Sequence, residues 1–384
     1  MSRTATVAIR RNAASRRAWL VAASLAVFAG LPARAQRLSD SSFAALVERL
    51  SEAGGVFDSD NIISNEESYL QVASQLAKVG VHGGAYIGVG PDQNFSYVAL
   101  IRPSVAFMLD IRRDNMLEHL LFKALFEMSH NRLEYLCLLF GKPVPAGVAA
   151  WTGRPIASIV AYLEQTPTDS GAVAATRKLT NARIAKFGVP LDARDRQMID
   201  RYRGEFVADG LDTRYSSLGR NNRMDYPTFA QLMLATDRGG RQISFLADED
   251  EFQFVRSMQL ANRIVPVVGN VAGDKAVRAI GAYAAEHALN VSAFYLSNVE
   301  QYLLTRDGGF DAYAKNVKAL PHDSTSVIIR SYFGRFGMTH PLFVPGASTI
   351  STSMVEPIDT FLRAFAAGDI RTYADLVFHG YVTP

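Results

Sequence analysis

The sequence predicts an α/β chain, a Rossmann-like, doubly wound, mostly parallel sheet with a large, mostly helical insertion. Three observations predict it. The apolar run Ala85-Tyr-Ile-Gly-Val stops at Gly88-x-Gly90, as a strand feeding a tight turn does. A second run, Val105-Ala-Phe-Met-Leu, ends on Asp110, 22 residues after Gly88. Further on, apolar runs at 263–270, 291–298 and 326–332 alternate with helical patterns. Strand and helix alternating through short turns imply parallel strands and right-handed crossovers. Paired glycines let the backbone turn sharply and approach a ligand, and an acid closing the second strand receives ribose hydroxyls.

The bulk composition fits a globular chain. Of 384 residues, 48% are hydrophobic and 20% charged, ample for a core. The formal charge of +3 belongs to the first 35 residues, which hold six arginines and no acid. Taking those six from 40 basic residues leaves 34 against 37 acidic ones, a balance of −3. With no basic, aromatic-interleaved run elsewhere, nucleic acid is not an expected partner. The single cysteine, Cys137, excludes an internal disulfide, and its apolar surroundings read as a buried, inert thiol.

Arg16-Arg17 precede Ala18-Trp-Leu20, the apolar run 21–30 and the small-x-small site Ala33-Arg-Ala35. This is the layout of a secretory signal cut after Ala35, and the paired arginines resemble a twin-arginine signal. The expectation is an exported protein, periplasmic or secreted, with no membrane association after cleavage. The divisions expected are 1–35 signal peptide, 36–140 N-terminal helices and first half of the Rossmann-like domain, 141–260 helical insertion or cap, and 261–384 second half with C-terminal helices.

Taken in order, Phe43 to Leu50 has helical spacing and ends before Gly54-Gly55. Ser64 and Glu67 fit a capping box, so a helix is expected from Asn65 to about Val79, with Asn65 or Glu66 bordering a cleft. Asp58, Asp60 and Asn61 offer oxygens but lack the glycine and glutamate of a calcium loop. After the first strand, Gly90 to Asn94 reads as a loop and Phe95 to Ile101 as a helix. One helix is then expected from about Asn115 to Phe140. It carries Glu118-His119 and Glu127-x-x-His130, with Glu134 a turn on. A lone Glu-x-x-His lacks the second copy that a di-iron bundle needs, so it reads as an ion pair and no metal site is expected. Helices are expected at 156–163, 188–209, 229–235 and 249–258, with a loop at 221–227.

The later strands stop at Asn270 and at Ser297-Asn298, with helices at 274–287, 299–304 and 310–320. Ligands bind at the carboxyl ends of such strands. Gly88, Asp110, Asn270, Ser297 and Asn298 therefore fall along one rim. After Tyr332, residues 346–353 read as a Gly/Ser/Thr-rich passage, followed by helices at 357–366 and 371–378. His340 and His379 read as surface residues. Gly-x-Ser-x-Gly, P-loop, His-Glu-x-x-His and paired-cysteine patterns are absent.

The order of these motifs resembles the class I S-adenosylmethionine-dependent methyltransferase fold. Ile87-Gly-Val-Gly-Pro-Asp92 is similar to its first motif and Asp110 to its ribose-binding acid. Phe294 to Leu303 resembles the fourth strand with its helix, and Leu320 to Ile329 the turn into the fifth. The whole chain also resembles an uncharacterised group of exported bacterial proteins with this fold. Tyr86 stands where the family has an acid, Asp92 replaces its third glycine, and no closing antiparallel hairpin is evident after Tyr332. The resemblance implies S-adenosylmethionine on Gly88, Gly90, Asp92, Gln93, Asn94, Asp110, Arg112, Asn270 and Ser297. It implies an acceptor near Ser297 to Glu300, with Asn298 and Glu300 in catalysis and Glu300 or His340 as a base. The implied function is methyl transfer from a small-molecule ligand to an unnamed acceptor. The alternatives are a ligand-binding or interaction protein that kept the fold without the reaction. The sequence leaves the oligomeric state open.

Overall fold

The computed structural model describes Met1 and residues 37–217, 226–334, 338–346 and 350–384. The expected signal peptide, apart from Met1, and most of the expected loop at 221–227 lie outside these residues.

Helix α1 (Asp40–Leu50) is capped by the Ser39 hydroxyl and buries Phe43, Leu46, Val47 and Leu50 along one face. The capping box at Ser64 is not formed. Ser64 Oγ instead accepts the Glu66 N–H at 3.1 Å, and the chain becomes helical only in a 3-10 turn at Tyr69–Val72, leading into α2 (Ala73–Val79). Strand β1 (Ala85–Val89), helix α3 (Asn94–Ile101) and strand β2 (Val105–Asp110) follow, both strands buried throughout. The expected helix 115–140 is two helices, α4 (Arg113–Met128) and α5 (Arg132–Phe140). Asn131 separates them because its side chain accepts the Glu134 N–H at 2.9 Å and starts a new helix.

Helices α6 (Ile156–Gln165), α7 (Ser170–Lys186), α8 (Ala193–Asp209), α9 (Phe229–Leu234) and α10 (Glu249–Leu260) lie between β2 and β3 in the chain. Asp192 and Thr228 form capping boxes at α8 and α9. The alternating part resumes with β3 (Ile264–Val268), α11 (Ala276–Glu286) and β4 (Val291–Ser297). The short helix α12 (Val299–Tyr302) continues in a π turn before α13 (Phe310–Ala319) and β5 (Val327–Phe333). The expected loop passage ends instead in strand β6 (Ser351–Pro357), followed by α14 (Ile358–Ala367) and α15 (Tyr373–Val377).

The six strands form one Rossmann-like sheet in the order β3-β2-β1-β4-β5-β6. All neighbours are parallel except β5 and β6. The antiparallel edge strand was not expected, because Ser351, Thr352 and Ser353 look like loop residues. The Ser351 and Ser353 hydroxyls are buried against Ser68, and that of Ser353 also against Ser331. The helices divide between two contact groups, α3, α4 and α10 in one and α1, α11, α13 and α14 in the other. That division is the one right-handed crossovers impose on a sheet whose strand order reverses at β1. Residues 37–384 form one compact unit with a continuous core. Among the described residues no helix is long and apolar enough to cross a membrane.

Candidate functional site

Strand order reverses between β1 and β4, and the main cavity opens there, at the carboxyl ends of the strands. It has a volume of 310 Å³. Val89 and Gly90 line it from β1, Asp110 from β2, Gly269 and Asn270 from β3, Tyr295, Ser297 and Asn298 from β4, and Phe333 from β5. Phe57, Tyr215, Tyr226, Tyr302 and Leu303 supply an apolar wall, with the Phe57 and Tyr302 rings edge-to-face at 5.0 Å. Polar groups converging on an aromatic wall suit a small ligand with one flat apolar part.

The turn after β1 is held from inside. Asn94 Nδ2 donates to the Val89 carbonyl at 2.9 Å and the Pro91 carbonyl at 2.8 Å, while its Oδ1 accepts the Tyr86 hydroxyl at 2.7 Å. Gly88 is needed here because a Cβ would stand 1.9 Å from Asn94 Oδ1. Gly88 and Asn94 therefore build the turn from behind the wall. Gly90, at φ +83°, faces the cavity, and Gln93 presents a side chain whose Nε2 donates to the Tyr295 hydroxyl at 3.1 Å. Asp92 is buried under the turn, and burial pushes its carboxyl up to about 7.

Asp110 faces the cavity already engaged. Arg112 holds it with its backbone N–H at 2.8 Å, Nε at 3.2 Å and a terminal nitrogen at 3.1 Å. Burial lowers the affinity of Arg112 for its proton, yet the adjacent Asp110 carboxylate leaves the guanidinium above its ordinary value. Its remaining nitrogen donates to the carbonyls of Ser59 at 3.0 Å and Asp60 at 2.6 Å. The longest bond to Asp110 comes from Asn61 Nδ2 at 3.5 Å. That amide also stands 3.1 Å from where a Gly90 Cβ would be, so it bridges the space between turn and acid.

Asn61 belongs to a strap that crosses above the strand ends. Glu52 N–H donates to the Val268 carbonyl at 2.9 Å and Gly55 N–H to the Ile111 carbonyl at 2.7 Å. The Glu52 carboxylate accepts the backbone N–H of Asn270 at 2.8 Å and of Ala276 at 3.2 Å, capping α11. Asn270 lines the cavity with its Oδ1 turned to the Ala272 N–H at 2.9 Å.

At the end of β4 the ladder to β5 shifts register between Tyr295 and Ser297, and Ser297 adopts φ +53°. A left-handed residue other than glycine costs about 1–3 kcal/mol, so the surroundings must enforce it. They do so through Glu66, a fully buried carboxylate that accepts the hydroxyls of Ser297 and, at 2.5 Å, Ser331. Burial raises the affinity of Glu66 for a proton, and the hydroxyl donors only partly offset it. Asn298 lines the cavity beside Gln301, 3.4 Å from Nδ2 to Oε1.

Of the residues expected at the site, Gly90, Gln93, Asp110, Arg112, Asn270, Ser297 and Asn298 line this cavity. Gly88, Asp92, Asn94 and Glu300 do not. Glu300 turns away because it accepts Arg330 at 2.6 and 3.0 Å and the Tyr313 hydroxyl at 2.8 Å, all in the interior. His340 is not on the surface. It is buried, its Nε2 on the Val377 carbonyl at 2.6 Å and its Nδ1 accepting the Leu342 N–H at 3.0 Å. Both ring nitrogens are thus used, and burial lowers its basicity. Glu127 pairs with Lys123 at 2.9 Å and His130 with Glu134 at 3.0 Å, as ion pairs. Among the described residues no group of acids, histidines and cysteines is arranged to hold a metal.

Phe57, Tyr215 and Tyr226 come from separate segments that carry no motif. Tyr295 and Tyr302 stand within the run 294–303 but look like buried strand and helix residues, and Asn61 looked only like a loop oxygen.

A family model described as a domain of unknown function, DUF7790, matches residues 61–144 and 198–368. No curated protein matches the chain.

Proposed function

Because the chain belongs to this family, whose description names no reaction, we propose its function from the cavity: an exported protein that binds S-adenosylmethionine and transfers its methyl group to a small acceptor. The observation that carries the reading is the convergence of the β1 turn, Asp110, Asn270 and the Ser297-Asn298 corner on one cavity at the point of strand reversal. The antiparallel edge strand β6 adds to the likeness with the methyltransferase sheet.

The residues fit such a ligand. Gly90 offers backbone with no Cβ, the Gln93 Oε1 acceptor is buried without a partner among the described residues, and Asp110 keeps one replaceable bond, the 3.5 Å contact from Asn61. Asp110 would take the ribose, Asn270 would lie beside the base, and the acceptor would sit by Asn298. The bound group supplies an electrophilic methyl carbon. The chain supplies orientation, and its aromatic wall keeps water from the reacting atoms.

Isothermal titration of the full chain with S-adenosylmethionine and S-adenosylhomocysteine tests this. The expected result is submillimolar binding that Asp110→Ala weakens at least about tenfold, roughly the 1.4 kcal/mol of one hydrogen bond to a charged group. Absence of binding favours the second reading, a binding protein for another ligand, which the saturation of Asp110 by Arg112 supports. The route of export rests on Arg16 and Arg17. A reporter fused to residues 1–40 should lose transport when both become lysine, and unchanged transport would remove the twin-arginine route.

A further inference from the structure

Glu66 is a buried carboxylate behind the cavity wall, and its bonds come from the hydroxyls of Ser297 and Ser331. The ionisable groups facing it are the phenols of Tyr86 from β1, Tyr97 from α3, Tyr295 from β4 and Tyr373 from α15. No cation pairs with it among the described residues, whereas Asp110 has Arg112, and Glu300 and Glu356 share Arg330. Two of the groups around it, Ser297 and Tyr295, have their other side on the cavity. The left-handed backbone of Ser297 aims its Oγ back at Glu66 while keeping the residue in the wall. A carboxylate without a counter-ion, one hydroxyl away from a cavity, favours a positive ligand group there.

We propose that the Ser297–Tyr295 wall is a subsite for an ammonium group, so that the acceptor is an amine whose charge is met by Glu66. The ammonium proton passes to Ser297 Oγ as the Ser297 proton passes to the Glu66 carboxylate. The N–H bond breaks with its electron pair left on nitrogen, an O–H bond forms on Glu66, and the products are a neutral amine and a neutral carboxylic acid. The ammonium subsite rests on the reading that the cavity binds a small ligand, and the amine's part as acceptor rests on the methyl-transfer reading.

The test is a ligand-observed NMR titration of the full chain with cyclopentylammonium and with cyclopentanol, probes matched in size. The amine should bind the wild type more tightly than the alcohol does. Glu66→Gln should weaken the amine at least fivefold and leave the alcohol unchanged. In the wild type the amine's affinity should rise with pH, as Glu66 ionises, and the alcohol's should not change. Equal binding of the two probes, no binding of the amine, a flat pH profile or an unaffected Glu66→Gln protein would each overturn the proposal. If circular dichroism shows Glu66→Gln unfolded, the wild-type pH profile decides. Amine binding by the wild type with no binding of S-adenosylhomocysteine would separate this subsite from the reading of the whole cavity.

Discussion

Asp92 sits under the turn after β1 with no cation beside it among the described residues, and its neighbours are themselves pushed toward neutrality. Burial raises Glu118 and, by the same cause, takes His119 down to about 4, while His119 Nε2 holds the Gly90 carbonyl at 2.9 Å. The carboxyl of Asp92 has an ordinary value of 3.8 and rises to about 7. A carboxyl raised in the folded state contributes stability below its unfolded value, and that contribution is lost as pH rises through the folded one. Wild type should therefore lose stability relative to Asp92→Asn between about pH 4 and 7, by up to about 4 kcal/mol. Urea unfolding of both proteins at several pH values checks it, and a constant difference would contradict the assignment. At this scale the sequence was partly legible. A carboxylate two residues after Gly90 looked like a ligand contact because position along a motif does not say which way a side chain turns. Asp110, closing a strand on the ligand edge, had less freedom and lines the cavity as expected.

Glu300 shows how an element converts a candidate catalytic group into a structural one. Its helix, α12, starts on the cavity at Asn298, but its first turn faces β5, and there Arg330 bridges Glu300 and Glu356 with all three side chains nearly inaccessible. Removing one member of such a buried set strands the others, at a cost of about 3–5 kcal/mol. Glu300→Ala should lower the unfolding free energy by about that amount, whereas Asn298→Ala should stay within about 1 kcal/mol, since it sits at the cavity edge. Thermal and urea unfolding distinguish them, and equal stability of the two variants would refute the structural role. Strands β1 and β2 were legible because apolar runs ended on glycine and aspartate. Strand β6 was not, because its hydroxyls are buried by pairing with Ser68 and Ser331 and with no local apolar signal. The break at Asn131 was legible in principle, since Asn131 and Glu134 have capping spacing.

Across the whole molecule, the rim of strand ends followed from the sequence because parallel connectivity leaves few ways to arrange five strands. The strap through Asn61 and the wall from Tyr215 and Tyr226 did not, because they come together only through contacts between separate segments, such as Asn61 Nδ2 to Asp110 at 3.5 Å and Asp60 N–H to the Ser216 carbonyl at 3.2 Å. The charge balance belongs to this scale too. Without the arginine-rich first 35 residues the chain is mildly acidic. The decisive experiment is hydrogen exchange of the full chain with and without S-adenosylhomocysteine. Bound ligand should slow exchange together at the four strand ends around Gly90, Asp110, Asn270 and Ser297, and along the strap at Asn61. Protection confined to the helices between β2 and β3, or none at saturating ligand, would contradict it.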